Sequence, residues 1–255
     1  MDTMYLLVAA IFALSLTSVE SNLEPRIVGG KKAKISDFPF FVSIRTYPNK
    51  YICGGAIIDD FWVATAAQCV RGVSPNNLFV VAGVAALNET GDRYAVQAVQ
   101  IHPWFNPTMK TNDTALLKLT RKLSGKNIKK IEMTKEAIKD GKDMELCGHG
   151  ATGYPFKNAS INLMAIELKS IANDQCSTLH NRPITNYNLC TKGKSAKGAC
   201  VGDVGSPLIV RGGIFGTTKL HGIVSWGTSP CAQGKPDVYS SIAAIRPWIR
   251  TVCGC

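Results

Sequence analysis

The sequence predicts an all-β chain closed by one C-terminal helix, on three observations. Short apolar or alternating runs recur, separated by clusters of Gly, Pro and Asn, which is the pattern of a sandwich or barrel. Nine cysteines in 255 residues point to an oxidising compartment, where disulfides persist. Only Ile242–Val252 has helical spacing, with Ile245, Trp248, Ile249 and Val252 on one face and Pro247 expected in the first turn. Hydrophobic residues make up 45 % and charged residues 18 %, enough for a packed core and incompatible with a disordered chain. The sequence shows no heptads, no apolar stretch of about 20 residues and no repeat, which argues against a fibre, a helical membrane channel and a solenoid.

In chain order, Tyr5–Leu16 is a twelve-residue apolar run followed by small and polar residues. It is too short to span a bilayer but fits a secretory signal core. Val19 and Ser21 place signal cleavage after Ser21, leaving a stub 22–26 and a mature segment 27–255. Strand-like runs follow at Phe40–Ile44, Leu78–Gly83, Tyr94–His102, Ala115–Leu119, Ile161–Ile171, Pro207–Val210, Leu220–Trp226 and Asp237–Ile242. The lysine-rich stretch Lys126–Lys142 reads as a polar connector between two β halves, about 27–133 and about 134–255.

Motifs narrow this further. Arg26-Ile27-Val28-Gly29-Gly30 follows the stub. Then come Cys53-Gly54-Gly55, Thr65-Ala66-Ala67-Gln68-Cys69, Asn112-Asp113-Thr114-Ala115-Leu116-Leu117, Gly202-Asp203-Val204-Gly205-Ser206-Pro207 and Ser225-Trp226-Gly227. In this order and spacing the chain resembles the trypsin/chymotrypsin family of serine proteases from Ile27 to the C-terminal helix. The resemblance implies two six-stranded antiparallel β-barrels with a cleft between them.

That chemistry needs a serine nucleophile, a histidine base and a buried aspartate that orients the imidazole. Here the histidine position holds Gln68 and the serine position holds Val204; only the aspartate is present, as Asp113. A primary amide accepts no proton near neutral pH, and a valine side chain has no lone pair. Ser206 replaces a glycine of the motif and is expected to aim elsewhere on the turn, while His102, His149, His180 and His221 lie in other segments. The expectation is a chain without proteolytic activity.

Other family features remain. Arg26 offers a tryptic cut before Ile27, and Asp203 stands where the freed ammonium of Ile27 would pair. The resemblance makes the backbone N–H groups of Gly202 and Val204 an oxyanion-hole remnant. It also makes Gly198, Asp237, Ser225 and Gly227 the remnant of a specificity pocket. Gly198 stands where trypsin-like members carry a carboxylate. Asp237 occupies a wall position that is usually glycine, so the pocket either keeps a preference for basic side chains or is plugged.

The family pattern pairs Cys53 with Cys69, Cys176 with Cys190 and Cys200 with Cys231. A further common bridge is absent, its positions filled by Met144 and Val210. Cys147, Cys253 and Cys255 are left over. Cys253 and Cys255 are too close in sequence for an easy mutual bridge, so one of them pairs with Cys147 or lies free, or a tail thiol links two chains. The loop Val84–Asp92 lines up with the family's calcium loop, but Val84 replaces its first carboxylate, so neither metal nor cofactor is expected. Of the sequons, Asn88 and Asn158 are expected to be open to glycan and Asn112, beside Asp113, bare.

Lys plus Arg number 29 against 18 Asp plus Glu, a net +11. Removing residues 1–26 leaves 28 against 15, a net of +13. Lys192, Lys194 and Lys197 crowd one loop, and Lys31, Lys32 and Lys34 crowd the new N-terminus. Such a field favours acidic partners. Secretion makes anionic glycans or acidic serum-type proteins better candidates than nucleic acid or membrane. Segments Gly54–Trp62 and Ile223–Gly227 resemble the mite group 3 allergen lineage and, within it, the inactivated protease paralogues of the scabies mite. That resemblance implies a protein secreted into the gut lumen that meets host serum proteins and interferes with complement; on the leftover cysteines, a monomer is expected over a tail-linked pair. The competing expectations are a basic glycan- or microbe-binding protein of azurocidin type and a residual hydrolase.

Overall fold

The computed structural model describes residues 30–152, 158–194, 197–213 and 216–255. The expected signal segment, Arg26 and Ile27 lie outside them. The first barrel is built from β2 (Phe41–Thr46), β3 (Lys50–Asp59), β4 (Trp62–Thr65), β5 (Leu78–Ala82), β6 (Asp92–Ile101) and β7 (Ala115–Leu119). Its strand order β2-β3-β4-β7-β6-β5 closes on itself through β2–β5 pairing. The second barrel uses β9 (Asp143–Gly148), β10 (Met164–Ile171), β11 (Asn188–Lys192), β12 (Pro207–Val210), β13 (Lys219–Trp226) and β14 (Asp237–Ser241). They run β9-β10-β11-β14-β13-β12 and close through β12–β9. The six-stranded double barrel implied by the resemblance is therefore the observed fold.

Strand periodicity explains where the core lies. On β7, Leu117 and Leu119 point into the first barrel with Val42, Ile44, Ile57, Val63, Val80 and Tyr94. Leu116, one residue before Leu117 and on the opposite face, looks to the junction, where Phe41, Ile58 and Ala64 meet Cys147, Ala165, Ile209 and Ile223 of the second barrel. A strand buried on both faces reads as an unbroken apolar run, as Leu78–Ala82 does, while Ala115–Leu119 is broken only by the exposed Lys118. β6 has one wet face, and its burial alternates from Tyr94 to Gln97.

Two short strands cross the sequence boundary near residue 133. β1 (Lys31–Lys32) pairs with β10, and β8 (Glu132–Met133), inside the expected connector, pairs in parallel with β13. Both ends of the first segment are thus stitched to the second barrel.

Four of the barrel strands, β3, β4, β9 and β11, were not singled out in sequence. β3 is interrupted by Cys-Gly-Gly, β4 has four residues, and β9 and β11 carry charged or amide residues at their ends. Two short helices were also missed: α1 (Ala67–Val70) and α2 (Asn173–His180). α2 buries only Cys176, so it has no apolar stripe; the Cys176–Cys190 disulfide pins it to β11. The closing helix, α3 (Ile242–Cys253), packs Ile242, Ile245 and Ile249 on the junction core. Pro247 sits one turn deeper than expected, where its missing N–H removes a bond to Ala243.

Cys53–Cys69, Cys176–Cys190 and Cys200–Cys231 are bridged as the family pattern implies. The tail differs from expectation: Cys253 bonds Cys255, and Cys147 is a buried free thiol. Gly254, left-handed at φ 71°, turns the chain back and brings the two Cα atoms to 5.2 Å, inside the disulfide range. Met144 and Val210 sit together in the apolar cluster of the second barrel, which takes the place of the missing bridge.

Truncating Leu117 to Ala should cost about 2–5 kcal/mol, whereas Lys118→Ala, on the wet side of β7, should stay within about 0.5 kcal/mol. Guanidinium unfolding of the oxidised protein measures both.

Candidate functional site

The two barrels meet along a cleft of about 430 Å³ lined by Lys110, Ala199, Val201, Val204, Trp226 and neighbouring residues of 224–231. α1, tied to β3 by Cys53–Cys69, delivers Gln68 to its edge. Asp113 enters from the segment before β7, just after Asn112 at φ 50°.

Asp113 is fully buried. Its Oδ1 accepts the Gln68 backbone N–H at 2.9 Å. Its Oδ2 accepts the Ser225 hydroxyl at 2.6 Å and a hydrogen of Gln68 Nε2. Gln68 Nε2 also donates to the Ser225 carbonyl at 2.7 Å. Both partners are acceptors, which fixes the orientation of the amide and uses both of its hydrogens. Burial raises the Asp113 carboxyl above its ordinary value, and the hydrogen bonds from Ser225 and Gln68 oppose that rise. At the position where the resemblance implied a base, Gln68 acts as a donor.

Val204 lies half-buried in the cleft on a turn that only glycines can make. Gly202 has φ +100° and Gly205 φ +82°. A Cβ on Gly205 would come within 2.4 Å of both the Gly54 carbonyl and Thr65 Oγ1. Among the described residues, the N–H groups of Gly202 and Val204 donate to no protein group, while the Gly202 carbonyl takes the Tyr51 hydroxyl at 2.7 Å. Ser206 is wholly buried; its hydroxyl faces Gly54 and Gly148 rather than the cleft.

Asp203 points inward, accepting N–H groups from Gly150 (2.8 Å) and Cys200 (2.9 Å), and burial pushes its carboxyl up to about 7. The Ile27 half of the expected activation pair lies outside the described residues. None of the four histidines bonds Asp113. His149 is held at about 4 by burial, His180 stacks on Trp226, His102 packs between Trp104 and Trp248, and His221 sits on β13.

Asp237 does not line the cleft; it closes its floor. It is 5 % exposed, and its Oδ2 takes the Ala199 N–H at 2.7 Å. A Cβ on Gly198 or Gly227 would meet its oxygens at 2.7 and 2.9 Å, so the carboxylate fills the space that these glycines leave. Burial pushes it up to about 7 as well.

The sequence reading missed a clasp across the cleft. The Arg182 guanidinium stacks 4.2 Å from the Trp226 ring centre and donates to the Met109 carbonyl, joining the loop after α2 to the loop before Asp113. No local pattern around Arg182 signals this, since its partners are 44 and 73 residues away. Asn88 and Asn158 are exposed, whereas Asn112 is buried and donates to the Trp104 carbonyl.

Paired six-stranded barrels sharing a cleft at their junction are the architecture of the double-barrel serine proteases. The chain belongs to the trypsin family, whose model, Trypsin, matches residues 27–249. It is 32 % identical to hypodermin-B of Hypoderma lineatum, covering 89 % of this chain and 88 % of that one. It is 33 % identical to glucanase inhibitor protein 3 of Phytophthora infestans, covering 96 % and 95 %. A solved structure of neuropsin, a serine protease expressed in the limbic system of mouse brain, superposes with a TM-score of 0.80 at 27 % identity, covering 89 % of this chain and 99 % of that one.

Two outcomes follow from the site. Gln68→Ala removes two donors from Asp113 and Ser225 and should destabilise by about 2–3 kcal/mol in urea unfolding. Asp237 titrates near 3.8 when unfolded and near 7 when folded, so between those values the folded state holds more protons and stability falls as pH rises. Asp237→Asn, which keeps the acceptor for Ala199, should therefore raise Tm at pH 8 by about 3–6 °C and leave it unchanged at pH 4.

Proposed function

We propose that this chain is a secreted, proteolytically inactive member of the trypsin family that acts as a monomer by binding, blocking a host serum cascade such as complement. The observation that carries the reading is the state of positions 68 and 204. General-base catalysis needs a group that accepts the nucleophile's proton and passes it on. Gln68 has already spent its amide hydrogens on Asp113 and Ser225, and Val204 has no atom to attack with. In a serine protease that carries the same triad on an unrelated fold, losing either the serine or the histidine costs on the order of a million-fold in turnover.

Further support comes from the floor of the cleft. With Asp237 filling the space beside Gly198 and Gly227, a long substrate side chain has little room to enter. The scaffold is nevertheless kept rigid by three long-range disulfides and by the fully engaged Asp113 and Asp203. A rigid surface without turnover suits a blocking protein. A trypsin-family chain named as an inhibitor, glucanase inhibitor protein 3, covers nearly the whole length of this one. The choice of complement as the cascade rests on the likeness of Gly54–Trp62 and Ile223–Gly227 to the scabies mite paralogues, and the gut lumen as site of secretion rests on the same likeness. Disulfides in the folded chain fit an extracellular setting.

The test compares the protein cut after Arg26 with the triple variant Gln68→His, Val204→Ser, Ser206→Gly. The native form should release no product from a peptide library above buffer background, and both forms should inhibit serum complement lysis equally. Turnover by the native form would overturn the inactivity; full lysis in its presence would overturn the choice of cascade.

A further inference from the structure

The outer face of the second barrel carries a cleft of about 320 Å³ that shares no lining residue with the one between the barrels. Four lysines surround it: Lys169, Lys192, Lys194 and Lys197. Lys169 on β10 stands directly opposite Lys192 on β11, a like-charge pair that weakens a sheet rather than supporting it.

The two carboxylates at this cleft are already engaged. Asp143 pairs with Lys169 at 2.6 Å, and Glu167 lies 3.8 Å from Lys31. Among the described residues, Lys192, Lys194 and Lys197 have no acidic partner within 4.0 Å. The backbone brings them together. Gly193 packs so tightly that a Cβ there would lie 2.3 Å from the Lys197 carbonyl oxygen and 2.6 Å from its Cβ. That approach sets Lys197 against Gly193, next to Lys192 at the end of β11 and to Lys194. Three unpaired ammonium groups are held around one concavity by a contact that only glycine permits.

We propose that this face is a binding site for the clustered sulfate groups of a sulfated polysaccharide. Among the described residues, Leu168 is the one apolar residue of the lining and is 3 % exposed, so they offer no anchor of the kind that dominates protein interfaces. They also lack the aromatic platform on which nucleic-acid bases stack. Lysine ammoniums are mobile point charges without a planar fork, suited to sulfates spaced along a flexible chain. The site is independent of the cleft between the barrels, so it stands whether or not the protein has proteolytic activity.

The full chain is tested by calorimetry and affinity elution on heparin, fully desulfated heparin, a poly-glutamate peptide and phosphatidylserine vesicles. Heparin should bind, and affinity should fall steeply with salt, because exposed charge contacts are screened within about 8 Å at physiological ionic strength. The triple variant Lys192→Gln, Lys194→Gln, Lys197→Gln should weaken binding about 10- to 100-fold. The equal-charge control Lys118→Gln, Lys126→Gln, Lys135→Gln should change it less than twofold, with Tm unaltered in both. Gly193→Ala keeps every charge and should also weaken binding, since it displaces the loop. Equal losses in the two triple variants would reduce the effect to net charge and overturn the site. Equal binding of desulfated heparin, poly-glutamate or vesicles would overturn the ligand class.

Discussion

A carboxylate removed from water must be met by donors, and Asp113 draws its donors from both barrels. Gln68 reaches it from the end of the first barrel, and the Ser225 hydroxyl from β13 of the second. Ser240 on β14 adds a hydrogen bond to the Asp113 carbonyl at 2.9 Å. A buried charge left short of partners is far costlier than the bonds themselves are worth. The relative placement of the barrels is therefore tied to this one residue. Gln68 has a clear part here even without proton chemistry: its side chain closes the same bridge between Asp113 and Ser225 and adds the Ser225 carbonyl as a second anchor.

Around that centre, the turn at 200–205 is fixed by geometry more than by attraction. Gly202 and Gly205 hold left-handed backbone angles, and Gly205 lies against the Gly54 carbonyl and Thr65. Asp203 hangs inward from the turn onto two backbone N–H groups. Val204 simply joins the apolar packing at the junction, and Ser206 fills space beside Gly54 and Gly148. A scaffold whose shape rests on glycines, buried aspartates and disulfides can keep its surface while its catalytic positions change.

The cleft is clasped by Arg182 over Trp226 and floored by Asp237, while an excess of positive charge lies elsewhere, around the loop that Gly193 folds. Long-range attraction toward anions and short-range packing in the cleft are thus separated on the molecule. Each can be altered without the other.

Much of this was legible in the residues. Apolar runs revealed the doubly buried strands, because burial on both faces leaves no polar position to interrupt them. Spaced motifs located Gln68, Asp113, Asp203 and Val204, because covalent order carries such information directly. What escaped was local structure without a local cause. α2 has no apolar face and is held by a disulfide; the Cys253–Cys255 bridge depends on the turn at Gly254; the Arg182 clasp joins loops far apart in the chain. The sequence by itself determined which side chains are present, and so which groups stand at positions 68, 113 and 204. Only the tertiary structure decided where Asp237 points, what Gln68 holds and which lysines face one another, because those outcomes depend on distances between segments that the linear order leaves open.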